Sequence, residues 1–209
     1  MRTDFIDETG VDGKLRVFSL YADFAASGRA KQIAGAITRR AGPQWQCSSE
    51  MWKPEALTAS EPIRRMISDD AVNSDVLIVA ISSLEQRPVE LIGWLDSLAA
   101  LKPRHSALQL LVGLLGDEED RPRELNWTVK QLMRCAQVTN RDFIWRWMES
   151  ETMSDLGWLN ENVERLLGRK LSLLEQMISQ ETAAGVGETS AIPFLSPNLN
   201  TRTLDLTGG

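Results

Sequence analysis

Residues 76–81 read Val-Leu-Ile-Val-Ala-Ile, and residues 107–115 read Ala-Leu-Gln-Leu-Leu-Val-Gly-Leu-Leu. Both runs are apolar almost throughout, with no alternation, and both are short. Such a run is a strand covered on its two faces, the signature of a parallel sheet with helices on either side.

The neighbouring stretches fit that reading. After the first run, Leu91, Trp94, Leu95 and Leu98 fall at helical spacing, and Pro103 marks the end of the helix. After the second, Leu125, Val129, Leu132, Met133 and Ala136 repeat the rhythm, and Phe143 to Met148 then alternates, with Phe143, Trp145 and Trp147 on one side. Upstream, Ser60 is placed to cap a helix whose face is Ile63, Met66, Ile67 and Ala71. Before it, Gln44 to Trp52 alternates, with Trp45, Cys47, Ser49 and Met51 sharing a side. Leu15 to Leu20 is a first strand, and Ala30, Ile33, Ala34 and Ile37 form the face of the helix that follows it.

Strands alternating with helices call for an α/β fold, a doubly wound five-stranded parallel sheet. The two continuous apolar strands belong at its centre and the two-faced ones, Gln44–Trp52 and Phe143–Met148, at its edges. Strand order 2-1-3-4-5, the flavodoxin-like winding, satisfies this. The expected organisation is a flexible N-terminus over 1–13, the α/β domain over 14–150, a C-terminal helical extension over 151–183 and a disordered tail over 184–209. Within the extension, Leu167, Leu171, Leu174 and Ile178 are spaced four, three and four apart like a helix seam, and Gly168 is the point where the helix could divide. An exposed stripe of this kind predicts docking on the core, a protein partner, or self-association through residues 154–183.

Composition narrows the function. A net charge of −6 with no Lys/Arg run argues against nucleic acid as partner. No stretch is apolar enough for a membrane span, and the first residues lack the basic end and apolar run of a secretory signal. Two separated cysteines, Cys47 and Cys135, fit a reducing cytoplasm, and the single histidine, His105, excludes a multi-histidine metal site.

Several motifs resemble a known group. Val17-Phe18, Tyr21, Asp23-Phe24 and Gly28-Arg29-Ala30-Lys31 resemble the opening of a family of bacterial flavodoxin-like α/β proteins with no assigned function. Met51-Trp52-Lys53, Ile63-Arg64, Met66, Asp69-Asp70-Ala71 and Ser74-Asp75 are similar to its second strand and second helix. The likeness covers about residues 14–149 and implies the same fold, with no catalytic motif. A more distant, topological likeness is to TIR domains, some of which hydrolyse NAD; it points to Glu90 as the counterpart of their essential glutamate, though the surrounding residues depart from the TIR pattern.

In an open α/β sheet, ligands bind at the carboxyl ends of the strands where the order reverses. Here that crevice lies between the loops after the first and third strands. The candidate ligand-binding residues are Tyr21, Asp23, Ser27, Gly28, Arg29, Ser82 and Ser83. One reading is an anion held on the N-terminus of the first helix; the plainer one is a capped helix with a solvated basic turn. Asp23, Asp117, Glu118, Glu119 and Glu149 share the same rim, and a solvated acidic loop explains them as well as a hard cation does. Phosphoacceptor receiver domains share this winding, but they need an aspartate where this chain has Ser82-Ser83 at the end of its third strand, so that role is rejected. No nucleotide fingerprint is present. The expectation is therefore a non-catalytic interaction or signalling module without cofactor or metal. The alternative is a TIR-like NAD hydrolase or nucleotide-binding protein using the crevice.

Overall fold

A computed structural model describes residues 13–82, 89–101, 109–116, 122–147 and 156–185. The elements run β1 (Lys14–Tyr21), α1 (Phe24–Ala41), β2 (Gln46–Trp52), α2 (Ala56–Ala59), α3 (Glu61–Val72), β3 (Val76–Ile81), α4 (Val89–Ala100), β4 (Gln109–Leu115), α5 (Pro122–Val138), β5 (Arg141–Trp147) and α6 (Gly157–Gly185). The strands form one parallel sheet in the order β2-β1-β3-β4-β5. This is the doubly wound, flavodoxin-like architecture expected of two central apolar strands. Every residue of β3 and of β4 is buried.

Because successive strand residues point to opposite faces, the sheet divides its apolar side chains into two cores. On one face Leu15, Val17, Val76, Ile78, Leu110 and Val112 pack beneath α1 and α6. On the other Phe18, Leu20, Leu77, Val79, Leu111 and Leu115 pack beneath α2, α3, α4 and α5. Gly113 on β4 lets the edge approach: a Cβ there would lie 3.1 Å from the Trp145 Cβ and 3.3 Å from the Leu132 Cδ1.

The chain divides into two units, 1–175 and 176–209, and the described part of the second is the end of α6. Within the first unit, α6 is the second helix covering the α1 face. Leu159, Val163, Leu166 and Leu167 are buried in that core and Leu174 is packed against it. Each is worth roughly 1.5–3 kcal/mol when fully removed from water, which is what holds the helix down. The stripe thus finds its surface in its own chain. It also lies differently from the expected seam: Leu171 is 44% exposed, and Gly168 does not divide the helix. The side chain of Ile178 lies outside the described residues.

Two other faces are shifted from the periodicity reading. On α3 the buried side is Ile67, Ser68, Ala71 and Val72, while Ile63 and Met66 are exposed. The physical reason is that α3 sits over β1 and β3, and the β2 residues beyond it, Ser48 and Glu50, offer no apolar surface. On α5, Cys135 is buried and Met133 is exposed. Ser60 caps α3 as expected, its side chain accepting the Ile63 N–H.

Candidate functional site

The strand order reverses between β1 and β3, and the described rim of that crevice is Tyr21, Ala22, Asp23, Ser82 and Gly116. Its centre is Asp23, the N-cap of α1. Its backbone is extended there, and its Oδ1 accepts the Ala26 N–H at 3.0 Å. The Ser82 hydroxyl donates to Oδ2, tying the end of β3 to the start of α1. Partial burial pushes the Asp23 carboxyl up, but the hydrogen bonds from Ser82, Ala26 and Ala25 outweigh it and hold the group below the usual aspartate range.

The other expected residues are less engaged. Tyr21 is half-buried against the α1-side core. The Ser27 hydroxyl donates to the Phe24 carbonyl at 2.7 Å, so it is occupied within its own helix turn. Gly28 is exposed, and a Cβ there would meet nothing within 4 Å; no close approach requires a glycine. Arg29 is half-buried. Structure therefore brings together Asp23 and Ser82, and leaves Ser27, Gly28 and Arg29 as the outer surface of α1. Ser83, Asp117, Glu118, Glu119 and Glu149 lie outside the described residues. Glu90 is exposed in the first turn of α4. Phe24, beside the cap, is 93% exposed.

A sizeable cleft among the described residues lies elsewhere. About 430 Å³ in volume, it opens between β1, β2 and α3, lined by Arg16, Ser48, Glu50, Met66, Asp69 and Asp70 among others. It exists because α3 leaves the polar side of β2 uncovered. Burial and the neighbouring Glu50 and Asp69 carboxylates push the Asp70 carboxyl up, with Arg16 pulling the other way. Sequence periodicity could not locate this cleft, because its cause is the lateral position of one helix.

Sequence reasoning also missed the buried charges at the amino-terminal end of the sheet. Arg141 donates to the carbonyls of Ser74, Ala71 and Val72 at 3.1, 2.7 and 3.1 Å, closing the C-terminal end of α3. Burial pulls its guanidinium down to about 10. Lys170 of α6 meets Asp75 at 2.6 Å and donates to the Lys14 carbonyl at 2.8 Å. The second Asp75 oxygen accepts the Arg16 N–H at 2.7 Å.

The remaining reactive groups are quiet. Burial pushes both thiols up, Cys135 to about 11, so neither is a thiolate near neutral pH. Among the described residues no group of three or more His, Cys, Asp or Glu side chains could hold a metal ion. No helix among them is long and apolar enough to cross a membrane.

Fold and rim together define a doubly wound α/β protein of flavodoxin-like class, with a carboxylate seated at its switch point. Solved structures of that class resemble it. A short-chain flavodoxin associated with a PDU bacterial microcompartment aligns over 73% of this chain and 99% of its own, with a TM-score of 0.50 and 14% identity. An oxidoreductase from Corynebacterium diphtheriae aligns over 79% of this chain and 99% of its own, with a TM-score of 0.52 and 14% identity. No family model and no curated protein matches the sequence.

Proposed function

We propose that the chain is a non-catalytic interaction module of the bacterial cytoplasm, using the flavodoxin-like sheet as a scaffold for protein contacts. One observation carries this reading: the Asp23 carboxylate occupies the N-cap of α1. In this winding the start of the first helix, at the β1/β3 switch point, is where a flavin or nucleotide phosphate is held by free N–H groups. Here the Ala26 N–H is already satisfied by a negative charge, and Ser82 anchors that charge in place. A phosphate would have to displace it or sit beside it against Coulomb repulsion. The flavodoxin among the structural neighbours therefore lends this chain its fold but not a cofactor that fits.

The test is titration of the purified full chain with flavin mononucleotide and with NAD, followed by tryptophan fluorescence and by assay of NAD breakdown at high protein concentration. No saturable binding and no turnover is the expected result. Micromolar binding of either compound would overturn the reading. Turnover abolished in Glu90→Ala would establish the TIR-like alternative in its place.

A further inference from the structure

The two strands at the margins of the sheet treat their open edges differently. β2 exposes Ser48, Ser49 and Glu50 and runs directly into Lys53 and Pro54. Polar and charged residues of this kind discourage pairing with another chain. β5 presents Arg-Asp-Phe-Ile-Trp-Arg-Trp and, among the described residues, pairs with β4 alone. Its Phe143, Ile144, Trp145 and Trp147 are only half-buried. A groove of about 320 Å³ follows this edge, lined by the consecutive residues 143–146 and by Trp158, Glu161 and Asn162 of α6.

We infer that β5 pairs edge to edge with β5 of a second copy, antiparallel about a twofold axis at Ile144. The charge pattern selects both the partner and the register. Asp142, Ile144 and Arg146 share the face toward α6: Ile144 packs against that core, Asp142 lies 4.0 Å from Arg165 and 3.9 Å from Arg169, and Arg146 stacks 5.3 Å from the Trp158 ring. Phe143 and Trp145 take the opposite face. In an antiparallel pair centred on Ile144, Asp142 stands opposite Arg146 of the second copy, twice by symmetry. Phe143 stands opposite its Trp145, also twice. Moving the centre by one residue in either direction sets Ile144 against Asp142 or Arg146 and loses the two opposite-charge matches. The strand is therefore complementary to itself in charge and in shape, which is what an isologous interface requires. Opposite-charge and aromatic cross-strand pairs are the units that stabilise such a ladder.

This pairing names one partner for the module proposed above and draws nothing from the α1 cap, so the ligand titrations and the assembly measurement fail independently. The experiment is sedimentation velocity on the full chain across a concentration series. Wild type is expected to show a reversible dimer. Arg146→Asp puts a carboxylate opposite the partner's Asp142 at two places, and Asp142→Arg does the same with guanidinium groups. Each should weaken the dimer by about tenfold or more, since like charges directly opposed across strands are destabilising. An equimolar mixture of the two variants restores both opposite-charge pairs and should dimerise again. Arg165 and Arg169 face the reversed charge in Asp142→Arg, so thermal melting accompanies each measurement and Arg146→Asp is the cleaner reporter. A wild-type chain that stays monomeric overturns the proposal. So does a dimer indifferent to both reversals, or one lost on removing residues 186–209, or a mixture of folded variants that stays monomeric.

Discussion

The two ends of the sheet handle charge in opposite ways. At the amino-terminal end the charges are buried and matched: Arg141 serves three carbonyls, and Lys170 and Asp75 are 3% and 10% exposed in their side chains. At the carboxyl-terminal end Asp23 is half-exposed and its hydrogen bonds are local apart from Ser82. The first arrangement joins elements far apart in the chain, α3 to β5 and α6 to β3, and so belongs to the stability of the fold. The second sets the chemistry of one crevice. A substitution at one end should therefore unfold the protein, and at the other should change what it binds.

The strongest way to break that contrast is Arg141→Met. Three hydrogen bonds from a charged donor, at about 1.5–3 kcal/mol each, put the expected loss at about 5 kcal/mol or more, a large share of a typical total of about 5–15 kcal/mol. Urea unfolding should show the midpoint collapse; a loss below about 1 kcal/mol would mean the guanidinium is not holding α3. Lys170→Ala comes next. It leaves Asp75 buried without its cation, at an expected cost of about 3–5 kcal/mol, and Lys170→Met with Asp75→Leu should recover much of it. If the double variant is no better than the single one, the pair matters for more than its charge balance.

At the other end Asp23→Ala should cost only about 1 kcal/mol, the usual worth of an N-cap. It should also change the acid response. The folded carboxyl lies below its unfolded value, so its contribution is complete above the unfolded value, near pH 4, and is lost as pH falls through the folded one. Wild type should thus lose its advantage over Asp23→Ala below about pH 4, where the two melting curves converge. Curves separated by a constant interval down to pH 2 would show that the carboxylate charge is not what caps the helix. Smallest of all, Glu90→Ala should move stability by less than about 0.5 kcal/mol, since the side chain is exposed.

Much of the architecture was readable from local pattern. β3 and β4 announce themselves because a strand buried on both faces has no polar alternation to hide in. β2 and β5 fall to the edges for the converse reason. The crevice was legible as a place, since strand order alone defines it, and Asp23 and Ser82 do meet there. Their hydrogen bond was not legible, because 59 residues separate them. Lys170 is the clearest miss: a lysine in a helix reads as solvent-facing unless one knows that Asp75 and the Lys14 carbonyl wait beneath it.

What the sequence by itself determined is the sheet, its order and the existence of a final amphipathic helix, because each follows from periodicity and burial within a dozen residues. What only the tertiary structure decided is where that helix lies, which charges go inside, and where the cleft beside β2 opens. An apolar stripe specifies that it must be covered but not by what. α6 covers the α1 face because its Leu159, Val163, Leu166 and Leu167 meet that core while Lys170 reaches Asp75 at the strand ends, and no local pattern carries that coincidence.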